Sequence, residues 1–188
     1  MARIVVTEFV SLDGVMEDPG GAEDFPYGGW SFEFNRGEEG DKFKLDETMA
    51  TDALLLGRVT YQGFADAWPS RTGEFADKFN NMPKYVVSST LDTAEWTNST
   101  VLKGDVVEAV SRLREGPGGD IAVHGSARLV QTLLDNDLVD EMRLMVFPVV
   151  LGAGKRLFED QDEAKALELV EAKQAGETYI LTYKPKAV

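Results

Sequence analysis

The sequence of 188 residues contains no cysteine and a single histidine, and its 19 basic side chains are far outnumbered by 33 acidic ones. Without cysteine there is no disulfide, no thiolate nucleophile and no thiolate metal ligand. One imidazole, His124, cannot build a two-histidine metal centre. A net charge of −14 argues against nucleic acid or an anionic membrane surface as a partner, because phosphates demand a basic footprint. It leaves room for a phosphorylated small molecule, which needs only a few local donors. No apolar run approaches bilayer-spanning length, and nothing near Met1 reads as a charged-then-apolar leader, so a cytoplasmic location is the expectation.

What is present is an ordinary globular composition, 43% hydrophobic and 28% charged. The length suits one domain over residues 1–188, and no repeat or linker divides it. Residues 3–10, 53–56, 84–87 and 100–102 read as short strands rich in apolar or β-branched side chains. Helices are expected between them. Phe43, Leu45 and Met49 mark one over residues 37–50 whose many charges read as a solvated face. Phe75, Phe79 and Met82 mark another, capped by Thr72 and ended by Pro83. A third, with Val106, Val110 and Leu113, starts at the capping pair Asp105 and Glu108. Residues 138–150 are strongly apolar, and 167–172 and 178–183 alternate as two closing strands around Gly176. The alternation followed by strands alone predicts an α/β fold. Its sheet is mixed but mostly parallel, with helices on both faces and an antiparallel C-terminal end.

Two strand–glycine–helix corners stand out. In residues 120–134 the run Ile121–Val123 breaks at Gly125, Ser126 stands where an N-cap would, and Ala127, Val130 and Leu134 share one helix face. In the other, residues 53–56 run into Gly57, Arg58 and Thr60. A helix start presents unpaired N–H groups and the positive end of a dipole, which suits a phosphate and equally suits a tidy cap. Arg58 adds a planar fork of donors. Ser88 and Ser89, after the strand at 84–87, read as turn-formers or as phosphate donors. Between the first strand and first helix, Phe25, Tyr27, Trp30, Phe32 and Phe34 either line a pocket for a flat ligand or roof the core.

Three stretches in order, SLDG at 11–14, LLLGRVTY at 54–61 and VHGSARLVQTLL at 123–134 leading into LVDEMRLMVFPVVLGAGKRLF, resemble the dihydrofolate reductase-like superfamily. Within it the chain is similar, over essentially its whole length, to stand-alone relatives of the reductase domain of bifunctional riboflavin-biosynthesis proteins. The resemblance implies an eight-stranded, largely parallel sheet that binds NADPH and forms a homodimer. It implies phosphate contacts from Gly57, Arg58 and Thr60, a 2′-phosphate site at Ser88 and Ser89, and a pyrophosphate turn at Gly125, Ser126, Ala127 and Arg128. Where dihydrofolate reductases have two adjacent glycines this chain has Gly125 and Ser126, which limits close backbone approach.

On the substrate side the resemblance points to Asp13, either steering a heterocycle and supplying a proton or simply forming its turn. Asp41 stands in the register of an acid on the helix before the Gly-Arg-x-Thr turn, and Trp30 and Phe32 would face the substrate. Lys155 and Arg156 are candidates to meet a ribose phosphate, or are solvated cations. His124 reads as a strand-end core residue. The function implied is hydride transfer from NADPH to a small pterin-, pyrimidine- or riboflavin-precursor-like molecule. The alternatives are a nucleotide-binding module without turnover, and a dimeric accessory protein with residues 138–150 feeding its interface.

Overall fold

A computed structural model describes residues 1–159 and 164–186. Strands β1 (Arg3–Ser11), β2 (Thr51–Gly57), β3 (Lys84–Val87), β4 (Ser99–Leu102), β5 (Asp120–Val123) and β6 (Glu141–Phe147) run parallel. Of the last two strands, β7 (Leu167–Ala175) and β8 (Thr178–Pro185), β8 runs against the rest and pairs antiparallel with both β6 and β7. Together they form one sheet in the order β4-β3-β2-β5-β1-β6-β8-β7. Among the described residues five α-helices cover it: α1 (Gly37–Ala50), α2 (Arg58–Ala67), α3 (Glu74–Asn81), α4 (Val106–Glu115) and α5 (Ala127–Asp135).

Strand alternation sorts the core into two sides. Ile4, Val6, Leu55, Val123, Met142 and Leu144 pack against Val110 of α4 and Leu129, Val130 and Leu133 of α5. The opposite side carries Leu54, Leu56 and Ala122 under Tyr61 and Phe79 of α2 and α3, and Met145, Phe147 and Ile180 near Phe43 of α1. Burying each such side chain contributes about 1.5–3 kcal/mol, so both faces are stabilised by apolar burial. Residues 138–150 are buried for most of their length, and Pro148 and Val150 at the end are exposed. Most of the stretch is β6, held between β1 and β8, with Leu138 and Val139 buried ahead of it.

The first helix departs from its sequence reading. It spans residues 37–50 as expected, but it buries Lys44, Glu47 and Thr48, while Met49 is 40% exposed. Glu47 accepts hydrogen bonds from Lys44 Nζ at 2.5 Å and Thr7 Oγ1 at 3.0 Å, and Arg143 Nη1 lies 3.4 Å from its other oxygen. A buried, mutually satisfied ion cluster carries the same residue types as a solvated face, and only the partners on β1 and β6 distinguish them. Thr72 is likewise not the cap of α3; Gly73 at φ 106° occupies that position. Asp105 does cap α4, accepting the N–H of Glu108 at 2.9 Å.

Strand lengths shape the functional edge. The β1–β5 ladder stops at Val6↔Val123 and the β2–β5 ladder at Leu55↔Val123. Meanwhile β1 pairs onward with β6 to Ser11, and β2 with β3 to Gly57. The carboxyl edge of the sheet therefore has a notch where β5 ends early. The helix after β1 lies on one face and the helix after β5 on the other, the arrangement in which open α/β sheets leave a crevice for ligands.

Candidate functional site

Both glycine corners meet in that notch. Gly57 donates its backbone N–H to Ser126 Oγ at 2.8 Å, and the Ser126 hydroxyl lies 3.0 Å from Thr60 Oγ1 and 3.1 Å from the His124 carbonyl. The approach is tight enough to demand glycine: a Cβ on Gly125 would stand 2.7 Å from Thr60 Oγ1, and Gly125 has φ +55°. Ser126 follows at φ 62°, so the chain makes two left-handed residues before α5 begins.

This geometry corrects the cap expected of Ser126. Its hydroxyl turns across to the other corner, and no side chain caps α5; Gly57, the residue before α2, offers none either. Two helix starts thus abut with their first-turn N–H groups uncapped, and their dipoles add. Arg58 opens α2 and Arg128 lies in the first turn of α5. Both are exposed, and neither forms an ion pair among the described residues; Arg58 Nη1 donates only to Gln62 Oε1 at 3.0 Å. Ser88 and Ser89 follow β3, whose last residue pairs with Gly57, so they lie on the same edge. Ser88 is buried with its hydroxyl accepting the N–H groups of Thr90 and Leu91, whereas Ser89 is exposed. An edge so furnished with donors favours a polyanion.

The substrate-side candidates are placed differently. Asp13 Oδ1 accepts the Ser11 hydroxyl at 2.7 Å and the Leu151 N–H at 3.1 Å, and Oδ2 accepts the Gly152 N–H at 2.9 Å. Those bonds, led by the Ser11 hydroxyl, hold its pKa down at about 2. Of the two readings of Asp13, the turn-former is the one the geometry supports, since a saturated carboxylate has no proton to give. Arg156 stands 3.7 Å from Asp13 and donates to its carbonyl, while Lys155 lies 3.4 Å from Glu17. These two cations tie the loop after β6 to the turn after β1.

Trp30 is 2% exposed, donates its indole N–H to the Glu17 carbonyl at 2.8 Å, and meets Phe147 edge-on with centroids 5.3 Å apart. It roofs the core and does not face the notch. Phe32 is 78% exposed. Asp41 points outward, its side chain 67% exposed, and pairs with Arg36 at 2.6 Å. The acid of that helix which turns inward is Glu47; burial opposes its charge, yet Lys44 foremost holds it ionised below the usual carboxylate range.

Two further groups line the notch. His124 lies against Phe64 and Phe79, with ring centroids 6.2 and 5.7 Å away, and burial drives its pKa down to about 3. It is half-buried at the end of β5, and the expected core histidine is thus a residue at the rim of the notch. Glu8, on β1, is 7% exposed, and its Oε1 has no hydrogen-bond partner. Sequence reasoning passed over it because a glutamate inside RIVVTEFV offers no local signal; the early end of β5 is what isolates it.

The chain matches the RibD C-terminal domain family over residues 2–181. Two proteins of Bacillus subtilis (strain 168) are similar to it. Uncharacterized protein YyaP is 30% identical over 173 residues, covering 89% of this chain and 86% of that one. Uncharacterized protein YwjB is 30% identical over 174 residues, covering 93% and 92%. Among solved structures, one from Shewanella sp. PV-4 whose name provisionally assigns it to riboflavin biosynthesis superimposes with a TM-score of 0.76 at 21% identity, covering 98% of this chain and 99% of that one. Dihydrofolate reductase from Enterococcus faecalis, complexed with NADP(H) and RAB-propyl, superimposes with a TM-score of 0.58 at 16% identity, covering 98% and 97%. The sheet described above is the fold these structures share.

Proposed function

Because this chain belongs to the RibD C-terminal domain family, we propose that it is an NADPH-dependent reductase of a small heterocyclic molecule, pterin-, pyrimidine- or riboflavin-precursor-like. The observation that carries this reading is the contact between the two corners. Two uncapped helix starts, clasped by Ser126 and flanked by Arg58 and Arg128, fit the paired phosphates of a dinucleotide. Thr60, Ser126 and Ala127 would bring backbone donors to the pyrophosphate, while Gly57, its own N–H given to Ser126, and Gly125 keep the junction free of side chains for close approach. Arg58, with Ser88 and Ser89 beside it on the edge, would hold the 2′-phosphate.

When bound, NADPH supplies the reducing equivalent, and the protein need only orient the two partners and exclude water. That division of labour suits a chain with no cysteine and one neutral histidine. Thr7, Lys44 and Glu47 on the α1 side of the notch are the polar groups available to a substrate ring. Asp13 holds the loop after β6 to the turn after β1. The second copy expected of such a reductase belongs to the same proposal, and light scattering tests it.

A fluorescence titration with NADPH and NADH tests the cofactor. Preference for NADPH, lost selectively in Arg58→Ala, supports the reading. Weak and equal binding of both sinks it. NADPH consumption with a panel of pterins, pyrimidines and ribosylated pyrimidines then separates a reductase from a binding module, for which no member of the panel accelerates oxidation.

A further inference from the structure

The phosphate-binding half of the notch leaves its other half unexplained, and Glu8 stands there. Its Cα lies two residues beyond the last β1–β5 pair, so continuing the register sets it opposite Gly125. The Gly125 N–H favours the charged carboxylate, as does Lys44, but burial dominates and pushes the carboxyl well above its usual range. Glu47 adds to that push. The side chain is 7% exposed and Oε1 has no partner, although buried side-chain oxygens are nearly always bonded. Only two other buried side-chain atoms among the described residues share that condition, Asp18 Oδ2 and Ser99 Oγ, and neither lies in the notch.

The chemistry of an un-ionised carboxyl is narrow. It offers one O–H donor and one carbonyl acceptor side by side. A primary carboxamide presents the complementary pair, so the two groups close a ring of two parallel hydrogen bonds. The neutral state matters for a second reason, since a carboxylate beside Gly125 would repel the pyrophosphate that the turn attracts. If the phosphates lie over the Gly57–Gly125 junction and the adenosine end over β3, the remaining end of the dinucleotide falls toward β1.

Resting on the cofactor reading above, we propose that Glu8 positions the nicotinamide ring, its carboxyl group pairing with the ring's carboxamide. The inference concerns a positioning residue: Glu8 fixes which face of the ring is turned toward the α1 side of the notch and takes no part in the transfer itself.

The test compares two ligands, NADPH and adenosine 2′,5′-bisphosphate, which has the 2′-phosphate end but no nicotinamide. Dissociation constants are measured for wild type, Glu8→Leu and Glu8→Gln. Glu8→Leu is expected to lose roughly tenfold or more in NADPH affinity, the scale of a lost pair of buried hydrogen bonds, while holding the bisphosphate within about twofold. Glu8→Gln keeps a donor and an acceptor and is expected to recover most of the loss. Unchanged NADPH affinity in Glu8→Leu overturns the proposal. So does an equal loss for both ligands, which would make Glu8 a support of the Gly125 turn. If the leucine variant does not fold, wild type is titrated with the NADPH analogue carrying an acetyl group for the carboxamide; affinity equal to that of NADPH overturns the proposal. Wild type that binds neither ligand refutes the cofactor reading and takes this inference with it.

Discussion

The Gly57 N–H and the Ser126 hydroxyl, 69 residues apart in sequence, are joined by a hydrogen bond of 2.8 Å. That bond is why α5 starts without a side-chain cap. The serine that would close its own helix instead locks the helix to its neighbour, and the free N–H groups of both starts turn to the same edge.

Removing the lock tests it. Ser126→Ala leaves the Gly57 N–H without its acceptor, and an expected loss of about 1–3 kcal/mol follows from orphaning a partly buried donor. Gly125→Ala is expected to be worse than a surface change, because φ +55° disfavours an L side chain and its Cβ would meet Thr60 Oγ1 at 2.7 Å. Urea denaturation gives both numbers, and NADPH titration shows whether affinity falls with them. A Gly125→Ala protein as stable and as tight-binding as wild type would mean that the two corners do not constrain each other.

The contrast between what could and could not be read in advance follows from where each signal lies. The 37–50 helix, the β2 and β5 corners and the hairpin at Gly176 come from local periodicity and turn residues, and they are found where expected. What α1 buries is not local. Lys44 and Glu47 are indistinguishable from Lys42 and Asp46 until Thr7 and Arg143 are opposite them. The notch is also invisible, because it results from two ladders both ending at Val123. The motif order led to the edge proposed to hold phosphates, and only pairing register led to Glu8. Trp30 was open to two readings, and an indole hydrogen bond to Glu17 decided for the roof.

Glu47 and Asp41 make a paired prediction about α1. Glu47→Gln strips the counter-charge from Lys44, whose side chain is 11% exposed, whereas Arg143 loses only its 3.4 Å contact and keeps Glu141 and Asp120. Breaking a buried pair from one side is expected to cost about 3 kcal/mol, whereas Asp41→Asn should stay within about 0.5 kcal/mol of wild type. The acid limb adds a sign. The folded pKa of Glu47 is depressed, so its stabilisation is present above the unfolded value of about 4.3 and is lost as pH falls through the folded one. The Glu47→Gln protein should therefore show a shallower loss of stability in acid. Equal effects of the two substitutions would reverse the assignment of the inward-facing acid.

Asp13 is expected to behave as a clasp. An asparagine there keeps one accepting oxygen and loses the charge that the Ser11 hydroxyl and two backbone N–H groups favour, for a loss of about 1–2 kcal/mol near neutrality. Because the wild-type group titrates at about 2, against roughly 3.9 when unfolded, its contribution is present above the higher value. It disappears as pH falls through about 2, where the wild-type and Asp13→Asn curves should converge. The same variant probes chemistry: NADPH oxidation should keep the pH dependence of wild type, since no proton comes from this carboxyl. A basic or acidic limb that vanishes in Asp13→Asn would restore it as a catalytic acid.

Lys84 provides a pH signature in the alkaline range. It is fully buried, donates to the carbonyls of Asn80, Met82 and Thr97 at 2.7, 2.8 and 2.9 Å, and lies 4.2 Å from the Trp96 ring centroid. No carboxylate is paired with it among the described residues, and burial lowers its pKa to about 8. Below that value the native ammonium bears the full penalty of burial. Between about 8 and the unfolded value near 10.4 the unfolded chain binds more protons than the folded one, so stability rises with pH. Lys84→Met removes both the penalty and the three donors. At pH 7 the orphaned carbonyls are expected to outweigh the relieved charge, for a net loss of about 2 kcal/mol. Raising the pH toward 10 should then widen the gap, because only wild type gains. Urea midpoints for both proteins across this range decide the matter: curves that stay parallel would mean that Lys84 keeps an ordinary pKa, its three carbonyls and the indole face making up for the water it lost.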